Sequence, residues 1–235
     1  MKRAALFAMA PLALLPFFQF YRGTPHQIAA IKQLEEAMPA DLLARDSDWF
    51  ETWKTSGKSQ WLLVPYFKQH DNESGQGYRE CFSSAAAMLA AEKGVVHSDD
   101  EYNLARERFG DTTSVNAQVL ALRSLGLRAV FMQYGSMSLL FDLIDQGRPV
   151  AVGILAKGDL SKGERPYGPG HWVVVTGYDM HGLTIHDPAG MPDMHKGTHE
   201  KKLSGAYVRV DRSDFERRWM IDGPKSGWMI VINDD

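Results

Sequence analysis

Arg79-Glu80-Cys81-Phe82-Ser83-Ser84-Ala85-Ala86-Ala87-Met88 is the stretch on which the reading of this chain turns, because the polar run that begins at Gln69-His70-Asp71-Asn72 gives way there to an apolar, helix-favouring one. Cys81 is the one cysteine in 235 residues. At the first position of a helix, a thiolate is stabilised by the helix dipole and by backbone N–H groups that have no intrahelical partner. A cysteine hydrolase keeps its reactive sulfur in such a place. Downstream, Gly170-His171 opens the apolar run Trp172-Val173-Val174-Val175-Thr176-Gly177-Tyr178, and Ile185-His186-Asp187-Pro188 closes another. Nucleophile, base and a carboxylate to orient the base are therefore all on hand. Gln69, ahead of Cys81, offers a carboxamide N–H that would join the Cys81 backbone N–H around a developing oxyanion.

Each piece has an ordinary reading: a small buried hydrophobe, a strand cap, a turn. The joint pattern is what favours chemistry. His171 and Asp187 meet only if two antiparallel strands pair in the right register. A loop centred on Asp179 sets them opposite each other, whereas one centred near His181 offsets them by two or more pairs. His186 is a rival base, but adjacent strand residues face opposite ways, so it should point away from the face that Asp187 serves.

The segment Val64-Pro65-Tyr66-Phe67-Lys68-Gln69, Cys81 with Ala87-Met88, Gly170 to Asp179 and Ile185 to Pro188 together resemble the papain-like cysteine peptidases of the bacteriocin-leader-processing type. More narrowly, with Phe215-Glu216-Arg217-Arg218-Trp219 and Gly227-Trp228, the chain is similar to stand-alone phage and bacterial members over roughly residues 60 to 233. The resemblance implies Gln69 as oxyanion donor, Cys81 as nucleophile, His171 as general base and acid, and Asp187 as its orienter. One departure is that Phe82-Ser83 replaces the small Gly-Pro pair that follows the cysteine in many relatives, which bears on substrate fit.

The expected fold is α+β, with a nucleophile helix packed on a mostly antiparallel sheet. Ser114 should cap a helix ending at Gly126, and Ser138 another over 139–146. Strands are expected over 127–133, 149–155, 172–178, 183–185, 206–210 and 228–232. Helices first and sheet afterwards is the α+β order of a papain-like fold. The Gly- and Pro-rich loop 156–169 should wall the substrate groove.

Composition supports a compact enzyme: 44% hydrophobic residues supply a core, and a net charge of −3 leaves no basic surplus for nucleic acid. A single cysteine forms no internal disulfide. Lys2-Arg3 before the apolar stretch Ala4–Phe20 reads as a secretion signal or weak anchor over 1–23, although Pro11, Pro16 and Gln19 interrupt it and the small triplet Ala8-Met9-Ala10 lies inside it. The competing reading is an apolar segment packed on the domain. Residues 24–59 read as a helical extension and linker, with Trp49, Phe50 and Trp53 forming a small hydrophobic cap, and 60–235 as the peptidase domain. His181, His186, His195 and His199 cluster in sequence, but no cysteine pair or His-Glu-x-x-His pattern accompanies them, so neither metal nor cofactor is expected.

The function expected is amide hydrolysis, first as a phage or bacterial cell-wall endopeptidase, an endolysin, cutting peptidoglycan stem peptides. A protease trimming a protein or leader peptide is the second reading. A non-catalytic binding module is the third, and the intact Gln69, Cys81, His171 and Asp187 argue against it. The partner is then a peptide or stem peptide, with no nucleic acid and with transient membrane association through residues 1–23. The compartment expected is periplasmic or extracellular, exported or membrane-associated; the alternative is the cytoplasm of an infected host cell.

Overall fold

The computed structural model describes residues 58–233; the signal-like segment 1–23 and the helices expected before residue 58 lie outside the described residues. A seven-stranded antiparallel sheet organises the rest. In chain order its strands are β1 (Gln60–Trp61), β2 (Arg128–Gly135), β3 (Val150–Lys157), β4 (Tyr167–Asp179), β5 (Gly182–His186), β8 (Val208–Asp211) and β9 (Gly227–Asn233), while β6 (Met191–Asp193) and β7 (Thr198–Glu200) form a separate hairpin. In space the order is β2-β9-β3-β4-β5-β8, with β1 pairing to the far end of β4.

Both faces of this sheet are covered, so its central strands read as continuous apolar runs. On one face lies α1 (Cys81–Glu92), with α2 (Asp99–Arg106) and α3 (Val115–Ser124) beside it; on the other lie α4 (Met137–Asp145) and α5 (Arg212–Trp219). Alternation along the strands feeds both cores: Trp172 and Val174 point to the α1 side, Val173 and Val175 to the α4 side.

Every residue of α1 from Phe82 to Ala90 is buried, and Ala85, Ala86 and Ala87 have no exposed surface. A helix apolar all round belongs inside, and alanine both favours the helix and lets it approach the strands closely. Its two serines are satisfied sideways: Ser83 Oγ pairs with Thr112 Oγ1 at 2.7 Å, and Ser84 donates to Asp99 at 2.6 Å. Phe82 stacks on Trp172 with ring centroids 3.7 Å apart, which ties the first turn of α1 to β4. Phe82 is thus a packing contact of the core.

Several expectations are corrected. Ser136, not Ser138, caps α4: it is extended, its oxygen accepts from the Leu139 N–H, and Ser138 falls within the first turn. β4 begins at Tyr167 and already pairs with Lys157, so the loop expected over 156–169 is cut short and contains a 3₁₀ turn at Leu160–Lys162. β2 precedes α4, as the strand expected over 127–133 and the helix expected over 139–146 require, and an addition is α5, which falls between β8 and β9. The α+β class holds nonetheless.

The β6–β7 hairpin has few apolar residues of its own, and a buried cation holds it. Arg218 of α5 has no exposed surface and donates to four main-chain oxygens: Met194 at 2.5 Å in the hairpin, and Leu155, Lys157 and Gly158 at 3.1, 2.9 and 2.6 Å at the end of β3. Such a fork suits guanidinium and no other side chain. Gly197, in the hairpin turn, lies so close to this crossing that a Cβ there would stand 2.6 Å from the Gly158 oxygen. Arg218→Leu should strip the donors from these oxygens at a cost of ~3 kcal/mol or more. A fall in the urea midpoint that, multiplied by the slope of the transition, matches that loss is the expected result, and an unchanged midpoint would show that the clamp contributes nothing.

Candidate active site

Cys81 is the first residue of α1 and is half-buried. The residue before it, Glu80, offers no side-chain cap, which leaves the first N–H groups of the helix without a capping side chain at the sulfur's end. Glu80 is instead turned inward, accepting from Asn72 at 2.8 Å and Ser74 at 2.7 Å, and so fastens the loop that leads into the helix.

His171 lies on β4, opposite Ile154 of β3. The β4–β5 turn is tight, with Asp179 paired to Gly182, so its centre falls between Met180 and His181. A bulge at Thr176 then moves the register, and Val174 pairs with His186. Continuing that register sets Asp187 beside Val173, two residues from His171, as in the offset arrangement considered from the sequence. A diagonal neighbour is within reach of a long side chain. The result is a hydrogen bond of 2.8 Å between His171 Nε2 and Asp187 Oδ1. This leaves Nδ1 as the ring nitrogen that Asp187 does not engage, and the Cys81 side chain acts electrostatically on the same imidazole.

Asp187 has no exposed surface, and three donors surround its carboxylate. Besides His171, the Ala189 N–H reaches Oδ1 at 2.9 Å, and His199 Nε2 reaches Oδ2 at 2.9 Å. Burial pushes this carboxyl up, but the bonds and charges of the two histidines outweigh burial and hold it below the usual carboxylate range. For His171, burial pushes the imidazole down, the Asp187 carboxylate and the Cys81 sulfur push it up by more, and the ring ends well above its ordinary value.

Gln69 lies in a 3₁₀ turn ahead of α1 and is buried. Its Nε2 donates to the Gly77 oxygen at 2.5 Å, its main-chain N–H to Pro188, and its Oε1 has no partner among the described residues. One amide N–H is thereby committed to the loop and the second is left over. Gly77 is required there by close approach, since a Cβ would stand 1.9 Å from the Gln69 oxygen. Gln69 is thus wedged between the Gly77 loop and the residue that follows Asp187.

His186 takes no part. Its Nε2 faces the Val64 oxygen at 2.9 Å, its Nδ1 accepts from the Tyr207 N–H at 2.9 Å, and burial lowers its pKa. Both nitrogens are spent on the backbone, on the opposite side of β5 from Asp187. Nor do the histidines between 181 and 199 gather at one point, since His195 pairs with Asp214 on the far side of the hairpin. His199 alone joins His171 and Asp187, and sequence reasoning assigned it no such place. The signal was Gly197, a turn residue between two short runs, which marks a hairpin able to return His199 towards β5.

An open cleft of about 440 Å³ lies next to this centre, lined by Tyr66, Lys68, Asp71, Asp99, Asp100 and Lys202 among others. None of Cys81, His171 and Asp187 lines it, although the Tyr66 hydroxyl donates to the Asp187 main-chain oxygen at 3.0 Å.

Among solved structures, a Bacillus anthracis protein described as C39-like shares 18% identity, covering 76% of this chain and 98% of that one, with a TM-score of 0.54. The peptidase domain of Streptococcus ComA, a bifunctional ABC transporter of a quorum-sensing pathway, shares 21% identity over 74% of this chain and 99% of that one at a TM-score of 0.46. A double-glycine-motif protease from an AMS/PCAT transporter, solved with a leader peptide, shares 16% over 74% and 95%, also at 0.46. The first of these supports the fold. A comparison with curated protein sequences finds no match. The model of the Peptidase_C39 like family matches residues 61–225, and the chain therefore belongs to that family of cysteine peptidases.

Proposed function

We propose that this peptidase hydrolyses amide bonds with Cys81 as nucleophile, His171 as general base and acid, and Asp187 as the group that orients the imidazole. The observation that carries the reading is the 2.8 Å bond from His171 Nε2 to a fully buried carboxylate, which leaves the other ring nitrogen for the sulfur. His171 takes the thiol proton and the thiolate adds to the carbonyl carbon. The oxyanion is held by the Cys81 backbone N–H and the remaining amide N–H of Gln69. Collapse expels the amine, which takes its proton from His171. Water, deprotonated by the same ring, then hydrolyses the thioester and frees the sulfur.

For the substrate, the reading proposed is the stem peptide of peptidoglycan, met outside the cytoplasm after export through residues 1–23. Its support is the basic start and apolar stretch of that segment. Purified protein incubated in parallel with peptidoglycan sacculi and with casein should expose new amino groups on the sacculi. Cleavage of casein alone would favour the protein-trimming reading.

Cys81→Ala should abolish turnover and keep the fold, since one small residue replaces another. In the native protein, iodoacetamide at pH 6 should label Cys81 faster than it labels a free thiol, and labelling that waits for pH above ~8.5 would count against a preformed thiolate. A raised His171 pKa means that the imidazolium persists as pH climbs past ~6.5, so the alkaline limb of kcat/KM should lie above that value.

Removing the base should cost more than altering its orienter. His171→Ala should lower kcat/KM by ~10²–10⁴-fold. Asp187→Asn should lose less, because the amide oxygen can take the Oδ1 position and its NH₂ can face His199. His186→Ala, if as damaging as His171→Ala with the fold intact, would reopen the identity of the base.

A further inference from the structure

We infer that His199 is a positioning residue for the reaction: it holds the Asp187 carboxylate in the plane that receives the His171 N–H, and so keeps the other nitrogen of His171 on the Cys81 sulfur. The inference rests on the Cys81, His171 and Asp187 roles proposed above. Its basis is the symmetry of the Asp187 carboxylate, which gives Oδ1 to His171 at 2.8 Å and Oδ2 to His199 at 2.9 Å. A carboxylate bonded through both oxygens cannot turn about its Cβ–Cγ bond without breaking one of them. The two imidazoles also touch, with centroids 5.1 Å apart and planes at 80°, so His199 limits the swing of the His171 ring directly.

The arrangement is costly unless it is used. Asp187 is entirely buried and would lose a charge-assisted donor if His199 were apolar. His199 itself sits on a hairpin fastened from elsewhere: Arg218 binds the Met194 oxygen, and the Leu160 N–H binds the His195 oxygen at 2.9 Å. The hairpin is therefore braced at Met194 and His195, just ahead of its turn, and its one side chain directed at the Asp187 carboxylate is His199. Other ionisable groups bearing on the three are Cys81 from α1, Tyr66 with its hydroxyl on the Asp187 main chain, and His70, on which His171 and Lys201 both act.

Because Cys81 is the one cysteine in the chain, alkylation by iodoacetamide followed by intact mass reports this sulfur alone, and no natural substrate is needed. The rates are measured at pH 6 and pH 9.5 in the native full chain, in His199→Leu and in His199→Gln. If His199 positions the pair, His199→Leu should react ~10-fold or more slowly at pH 6, where the thiolate depends on His171, and within twofold of the native rate at pH 9.5, where hydroxide forms it. His199→Gln, whose amide can still donate to Oδ2, should recover most of the pH 6 rate. A residue that merely packs would leave the ratio of the two rates unchanged in both variants, and that result overturns the inference. Equal loss at both pH values in both variants, meaning a distorted site, also overturns it. If His199→Leu does not fold, His199→Phe, which keeps a ring but has no donor for Oδ2, takes its place, and an unchanged ratio of the two rates in it overturns the inference. Failure of the underlying reading looks different, because His171→Ala would then alkylate at pH 6 as the native chain does.

Discussion

A carboxylate with no access to water sits at the centre of this molecule, and the site depends on how Asp187 is compensated. Burying a charge is expensive unless donors replace the lost hydration. Here two imidazoles and a main-chain N–H do so. Each of them comes from a different part of the chain: His171 from β4, His199 from the β6–β7 hairpin, and the Ala189 N–H from the turn after β5. The fold can accordingly be seen as a set of devices for bringing these pieces to one oxygen pair, with α1 and its cysteine pressed against the same point from the other side.

Two of those devices are visible in the strand pairing. The bulge at Thr176 shifts β4 against β5, and the diagonal reach from His171 to Asp187 follows from it. The stack of Phe82 on Trp172 sets the height of α1 relative to the same strand, one residue from His171. A change of register by a single residue would turn either side chain to the opposite face. The geometry is thus held by packing on both sides of the histidine, and the hydrogen bonds complete what packing has already arranged.

The sequence made the outline legible for physical reasons that differ from piece to piece. Cys81 stood out because a polar loop meets an all-apolar helix there, and His171 and Asp187 because each borders an apolar strand. The α+β class followed from covered strands and capped helices. Register was out of reach, since the bulge at Thr176 leaves no mark that alternation alone could show. Ser136 and Ser138 both fit a cap by composition, and only the extended backbone at Ser136 separates them. His199 was hidden because its hairpin is held by Arg218, a contact made across the chain by a cation in a helix whose own face reads as polar.

The place of β9 has a consequence for the timing of synthesis. This strand is the last of the unit in sequence, yet it lies inside the sheet, paired to β2 on one side and β3 on the other. Until it arrives, β2 and β3 have no common partner, the core under α4 lacks Met229 and Val231, and the core under α1 lacks Ile230. α5, which carries the hairpin clamp, precedes it by only a few residues. A growing chain that already displays Cys81, His171 and Asp187 therefore cannot yet close the sheet that aligns them. Alignment of the three side chains waits on the pairing of β9, the strand that joins β2 to β3.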